Sequence, residues 1–300
     1  MIPHLEINDR TVLSAVGAAI LFCAAASAVA APPDHKEQHF SVKGRPTVVL
    51  QNIVDGRIEV KSSKNPEVVV ISTSSPEKVA IDLEQAGDRI DISATGLVNS
   101  TQPHEVEANF ILTVPEETEL QLKTQTGLIY VEQVNGDMQL ESVAGDVNLK
   151  EVSGYIIVKT TGGSLKCTQC TGKLDFASIG GGAQVLQSSL MRINLMTATG
   201  NLLYDGEFVR TGIYSMKSTK GSVEVRFSPT DSLDVDARSL TGTVDNQATE
   251  FLRPDVHGAH HSRNRGNSFF GTVGQGLAKV ELSSYSGTCL LYTSPSPRDS

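Results

Sequence analysis

The chain has no tryptophan, and aromatic residues make up only 5% of its 300 positions. A core so poor in large rings has to be thin, filled by Val, Ile and Leu between closely spaced backbones, which argues against a helical enzyme domain. Beyond the first thirty residues no long stretch repeats its apolar residues at the helical period of about 3.6, so almost no helix is expected there. Positive charge is the minority: 25 Lys and Arg face 34 Asp and Glu, a net charge of -9. An acidic surface repels phosphate backbones and argues against nucleic acid as a partner. Cysteine is scarce as well, with four in the chain. Cys23 lies in the apolar N-terminal run and Cys289 in the C-terminal tail, which leaves Cys167 and Cys170 as a single C-x-x-C pair. A structural zinc site needs two further ligands, and thioredoxin-type redox chemistry needs a helix start beneath the pair; neither is written here. No cofactor is implied.

Glycine, in contrast, is abundant at 26. Between residues 127 and 181 it recurs every nine residues, as Gly127, Gly136, Gly145, Gly154, Gly163, Gly172 and Gly181. Two residues after these stand Ile129, Met138, Val147, Ile156, Leu165, Leu174 and Ala183; two further on stand Val131, Leu140, Leu149, Val158, Cys167, Phe176 and Val185. That alternation is the mark of a half-buried strand. Seven after each glycine come Val134, Val143, Val152, Thr161, Cys170, Ile179 and Ser188, a position that breaks the parity of two and demands a bend. Each unit therefore reads as strand, corner and glycine turn. One unit cannot bury its apolar side alone, so the expectation is an all-β, single-stranded β-solenoid of nine-residue glycine-punctuated units, β-helix-like or β-roll-like, over residues 45–288.

The number of units per coil is argued from charge. Five after the glycines stand Glu132, Glu141, Lys150 and Lys159. A two-unit coil sets Glu132 beside Lys150 and Glu141 beside Lys159; a three-unit coil pairs Glu132 with Lys159. Opposite charges on neighbouring strands contribute roughly 0.2 to 1 kcal/mol each, and two units are preferred.

Both ends read differently from the body. Thr11 to Ala31 is apolar and closes on Ala28-Val29-Ala30 before Pro32-Pro33, the small-residue pattern of a secretory cleavage site. The expectation is a signal peptide over 1–30; an uncleaved N-terminal membrane anchor is the second reading. Residues 31–44 are polar and proline-bearing and read as a flexible tether. At the other end Cys289 to Asp299, CLLYTSPSPRD, is what one frame of a common transposase sequencing adapter encodes. Residues 289–300 are therefore expected to be an artefact and not native chain.

Candidate chemistry is sparse. Cys167 and Cys170 lie inward on either side of a bend, where a disulfide or a pair of small buried residues would fit equally. Phe251 to Gly276 is the one long interruption; His257, His260 and His261 within it have loose metal-ligand spacing, and Arg253, Arg263 and Arg265 make it basic, but a solvated loop is the simpler expectation. Asp137 and Asp146 follow their glycines without the second glycine that a calcium-binding β-roll uses, and read as turn residues. Tyr130, Tyr155, Ile157 and Leu128 fall outward on the strand parity, a candidate contact patch or a surface covered by other segments.

Val114-Pro115, Leu120-Gln121-Leu122-Lys123-Thr124-Gln125-Thr126-Gly127 and the tandem Gly136-Asp137-Met138 and Gly145-Asp146-Val147 resemble the bacterial putative-adhesin β-solenoid family catalogued as a domain of unknown function. The resemblance covers residues 47 to 288, more loosely after residue 185. It implies an exported or membrane-tethered β-solenoid of the cell envelope, with no catalytic residues to carry over. The function expected is a non-catalytic envelope protein, adhesive or structural, whose partner is an envelope protein or a surface glycan. The alternatives are an envelope-stress or signalling accessory acting through protein partners and, third, a polysaccharide-active β-helix enzyme.

Overall fold

The computed structural model describes residues 34–97, 106–254 and 267–293, and all of them fall in one compact unit. Among the described residues there is no helix, and the strands belong to one sheet. The expected leader or anchor over 1–30 lies outside the described residues, as do residues 98–105, the three loop histidines with Arg263 and Arg265, and residues 294–300 of the tail.

In the centre the chain winds in coils of eighteen residues. Met138–Ser142 pairs in parallel with Ser153–Thr160, Met138 opposite Ile156, and Val147–Lys150 pairs with Leu165–Thr168, Val147 opposite Leu165. Two parallel stacks result, one on each side of a shared core. The first runs through Thr47–Asn52, Glu119–Thr124, Met138–Ser142, Ser153–Thr160 and Thr171–Ser178. The second runs through Ile58–Ser63, Ile129–Glu132, Val147–Lys150 and Leu165–Thr168. Ala183–Thr197 and Leu202–Ser218 are long enough to cross from one stack to the other, so the sheet wraps round the core. Ile129, Val131, Met138, Leu140, Val147, Leu149, Ile156 and Val158 all point inward and are buried, as the alternation requires.

The two corners of a coil are not alike. Val134, Val152, Cys170 and Ser188 are buried, but Val143, Thr161 and Ile179 stand in solvent. The nine-residue rhythm hides an alternation: the seventh position turns inward at one corner and outward at the other. The inward corner is made by Gln133, Glu151, Gln169 and Gln187, each in the left-handed backbone region with φ between 51° and 58°. An L-residue there is uncommon. The left-handed step turns the next side chain back to the core.

At both ends spatial order departs from chain order. Ile58–Ser63 lies between Ile129–Glu132 and Ala108–Pro115, so the chain runs out to the end of the stack and returns. Ala278–Ser284 likewise inserts between Leu202–Ser218 and Leu233–Ser239. Antiparallel strands close the stack: Asp34–Ser41 on Glu67–Ser74, Val79–Ala86 on Arg89–Gly96, and Ser268–Val273 on Leu233–Ser239. Such caps keep the edges of a repeat stack from pairing with other chains.

Two expectations are corrected here. Residues 34–41 of the expected flexible tether form a strand, because main-chain pairing with Glu67–Ser74 needs no apolar side chains and Phe40 packs against the core. The interruption from Phe251 to Gly276 contains the strand Ser268–Val273, in which Phe269 and Val273 are buried. At the tail, Cys289–Thr293 pairs in parallel with both Val223–Phe227 and Val244–Asn246, with Cys289 and Leu291 buried.

Candidate functional surface

The outward corner has a repeated construction. A Ser or Thr at the end of the strand accepts a hydrogen bond from the amide of a glycine three residues on: Ser142 from Gly145, Thr160 from Gly163, Ser178 from Gly181, Thr197 from Gly200, Ser218 from Gly221, Ser239 from Gly242 and Ser284 from Gly287, at 2.8 to 3.1 Å. Several of these hydroxyls also donate to the glycine carbonyl of the adjacent coil, Thr197 to Gly181 at 2.8 Å and Ser218 to Gly200 at 3.0 Å. The glycines stack so closely that a Cβ on Gly163 would run into the Gly145 carbonyl. Close approach, more than backbone conformation, is what the column at this corner demands. The Ser/Thr-x-x-Gly pattern was present in the sequence at eighteen-residue spacing and is the signal that separates the two kinds of corner.

Because hydroxyl and glycine are locked inward, the two residues between them are displayed. They bring Val143, Ile179, Leu240 and Tyr285 to the surface, the last three at 62%, 64% and 54% exposure. Ala177, Met196, Ala198, Leu240 and Tyr285, with Lys217, line a groove of 610 Å³ beside this edge. The expected patch of Tyr130, Tyr155, Ile157 and Leu128 is divided. Tyr130 stands beside Asn148 in one stack, Tyr155 and Ile157 beside Lys173 and Asp175 in the other.

The outer faces carry ion pairs across strands. Lys150 Nζ is 2.7 Å from Glu132 Oε1, and the lysine holds the Glu132 carboxyl below its ordinary range, with help from the Tyr130 hydroxyl. Glu141 stands in register with Lys159, and its ion pair is with Lys123 at 3.7 Å. Asp137 Oδ1 accepts from the Tyr155 amide at 3.2 Å and Asp146 Oδ1 from the Ser164 amide at 2.8 Å, so both carboxylates tie one coil to the next. Among the described residues no cluster of three His, Cys, Asp or Glu is arranged to hold a metal ion.

Inside, the Cα atoms of Cys167 and Cys170 are 6.1 Å apart across Gln169, and their sulfurs are bonded. The equivalent pairs in neighbouring coils are Val131 with Val134 and Leu149 with Val152. Where Leu202–Ser218 rounds the inward corner, Tyr204, Phe208 and Tyr214 fill the wider core with ring centroids 4.7 to 5.4 Å apart. Burial pushes both tyrosine hydroxyls up, and each is satisfied by a main-chain carbonyl, Tyr204 by Glu207 and Tyr214 by Leu190, both at 2.7 Å. Burial also pushes the Cys289 thiol up to about 11, which makes it inert.

A family model described as Toastrack DUF4097 matches residues 51–289. Among solved structures, a putative adhesin from Bacteroides fragilis is 11% identical, covering 87% of this chain and 97% of its own, with a TM-score of 0.47. A putative cell adhesion protein from Clostridium sporogenes is 10% identical, covering 87% of this chain and 100% of its own, with a TM-score of 0.31. A putative lipid binding protein from Parabacteroides distasonis is 6% identical, covering 87% and 97%, with a TM-score of 0.30. No curated protein matches the chain.

Proposed function

The chain belongs to the Toastrack DUF4097 family, and on that footing we propose that it is an extracytoplasmic, non-catalytic binding or structural module of a bacterial envelope, working through its outer surface. With this goes a single-stranded β-solenoid built from nine-residue half-coils, preceded by a leader or anchor over 1–30 and followed at 289 by residues that are not native. Its partner is an envelope protein or a surface glycan.

The asymmetry of the corners carries this reading. A fold that only needed to close could bury the seventh position at both corners, yet Val143, Ile179, Leu240 and Tyr285 are displayed along one edge. Apolar groups repeated along a rigid edge make a contact surface. The non-catalytic reading is supported by the outward carboxylates. A glycan-cleaving site needs convergent, available carboxyl groups, whereas Glu132, Asp234, Asp236 and Glu281 are each engaged by a cation at 3.1 Å or less. The groove lined by Met196, Leu240 and Tyr285 favours the second reading, an accessory that grips a protein partner.

The test uses the purified chain on washed envelope material, reading retention and the release of soluble sugar ends. Retention without release is expected. Release proportional to protein concentration would overturn the non-catalytic reading, and a cytoplasmic position of the native protein on cell fractionation would overturn the compartment.

A further inference from the structure

Across most of the outer surface, neighbouring strands set opposite charges together, as in Glu132 with Lys150, Lys217 with Glu281 and Asp234 with Lys279. Like-charged acidic residues also face each other, among them Glu84 with Asp91 and Asp236 with Glu281, but Asp91, Asp236 and Glu281 are each engaged by a cation; one basic pair has no such relief. Lys173 stands in direct register with Arg192 on the next strand. Both are exposed, and among the described residues neither has an ion-pair or hydrogen-bond partner. Like charges directly opposite one another weaken a sheet. A protein with a net charge of -9 has carboxylates to spare for neutralising them. That the two are left together, against the stability of the strand pair, points to a use for concentrated positive charge at that spot.

Their surroundings narrow the use. Three neighbouring strands present a grid of side chains, Tyr155, Lys173 and Arg192 along one file and Ile157, Asp175 and Asn194 along the next. Tyr155 is 39% exposed, and its hydroxyl donates to Asp175 Oδ2 on the neighbouring strand, so the side chain reaches from one file of the grid to the next. An exposed aromatic face, a guanidinium fork, an ammonium, a carboxylate and an amide lie within one small area. The guanidinium fork suits a carboxylate held by two parallel hydrogen bonds. The aromatic face suits the apolar side of a sugar ring. Asn194 and Asp175 can exchange hydrogen bonds with hydroxyls.

We propose that this grid binds the carboxylate-bearing sugars of an acidic polysaccharide, with Arg192 and Lys173 on the carboxylate and Tyr155 beneath the ring. The proposal rests on the reading above that the protein works through its outer surface, and it names the chemistry of the partner. A densely charged phosphate polymer does not fit, because Asp175 stands beside the cations and the body as a whole is acidic. A sugar acid brings one charge together with hydroxyl donors for Asp175.

The experiment uses the full chain and polygalacturonate as the probe, in a titration calorimeter at low salt. The comparison probes are methyl-esterified polygalacturonate, dextran sulfate and polyglutamate. Polygalacturonate is expected to bind, its methyl ester at least about tenfold more weakly. Lys173→Ser with Arg192→Ser should weaken binding by a similar factor, Arg192→Lys by less, and Tyr155→Phe less than Tyr155→Ala. Removing one like charge relieves repulsion, so thermal melting of the Lys173→Ser and Arg192→Ser forms should not fall, which separates lost binding from lost folding. Equal binding of all three polyanions, or binding indifferent to Lys173 and Arg192, would overturn the proposal. Retention on neutral glycans or envelope protein that ignores these substitutions would sink the grid and leave the surface-binding reading standing. No retention on any envelope material would sink both.

Discussion

The hydroxyl of Ser218 accepts a hydrogen bond from the Gly221 amide at 2.8 Å and donates one to the carbonyl of Gly200 in the adjacent coil at 3.0 Å. One side chain therefore closes its own corner and fastens that corner to its neighbour. Both partners are main-chain groups at a buried position, where an unmet hydrogen bond is costly. Ser218→Ala is expected to cost about 1 to 3 kcal/mol in urea unfolding, while Thr219→Ala, one residue away and exposed, should stay within about 0.5 kcal/mol. Equal effects at the two positions would mean that the hydroxyl file does not hold the coils together.

The glycines of this corner obey a different necessity from the glycine of an ordinary hairpin. At Gly163 a Cβ would run into the Gly145 carbonyl, main-chain atoms that cannot swing away. At Gly87 the φ is +65° and there is open space around the missing Cβ. Gly163→Ala must spread two coils and should cost about 3 kcal/mol or more. Gly87→Ala meets only the backbone penalty of a left-handed residue, about 1 to 2 kcal/mol. Midpoints and slopes of guanidinium unfolding for the two variants decide this.

Much of the architecture was legible because glycine at steric contact and apolar residues at strand parity leave local marks. Ile129, Met138, Val147 and Ile156 announce their burial by spacing alone. The difference between the corners was harder to read, since Val134 and Val143 are the same residue at the same offset from a glycine. What separates them is Gln133 with its left-handed backbone against Ser142 with its hydrogen bond to Gly145. The capping strand Asp34–Ser41 left only Phe40 as an apolar trace, because main-chain pairing carries it. The grid at Lys173 and Arg192 could not be seen in sequence at all. The two residues are nineteen apart, not eighteen, and a register shift beside Gly172 and Lys173 brings them opposite each other.

Cys167 and Cys170 occupy places that Val131 with Val134 and Leu149 with Val152 fill in other coils. The apolar pair is therefore an acceptable packing solution at this corner, and the bond adds only closure of a very short loop, about 2 kcal/mol in the chain-entropy account. Replacing both cysteines with valine should leave a folded protein that loses no more than this. Denaturing alkylation without reduction should modify Cys289, together with Cys23 where the N-terminal segment is retained, and leave Cys167 and Cys170 protected until reduction. A variant that fails to fold would show instead that the corner depends on its bond.

The last prediction concerns pH and the cap. His39 lies between two carboxylates, Nδ1 2.9 Å from Glu67 Oε1 on the paired strand and Nε2 3.2 Å from Glu37 Oε1 on its own. The hydrogen bond to Glu67 is the main influence, and it raises the imidazole above its ordinary value of 6.5. A raised value means that the folded state favours the protonated ring. Its contribution is complete below the ordinary value and fades as pH climbs through the raised one. The imidazole is exposed to solvent, so the effect belongs to the docking of Asp34–Ser41 and not to the whole fold. Amide exchange of residues 34–41, corrected for intrinsic rates, should show less protection at about pH 8 than at about pH 6, and His39→Gln should remove that difference. A wild-type strand whose protection ignores pH, or a variant that keeps the same dependence, would show that the Glu37, His39 and Glu67 cluster does not hold the cap in place.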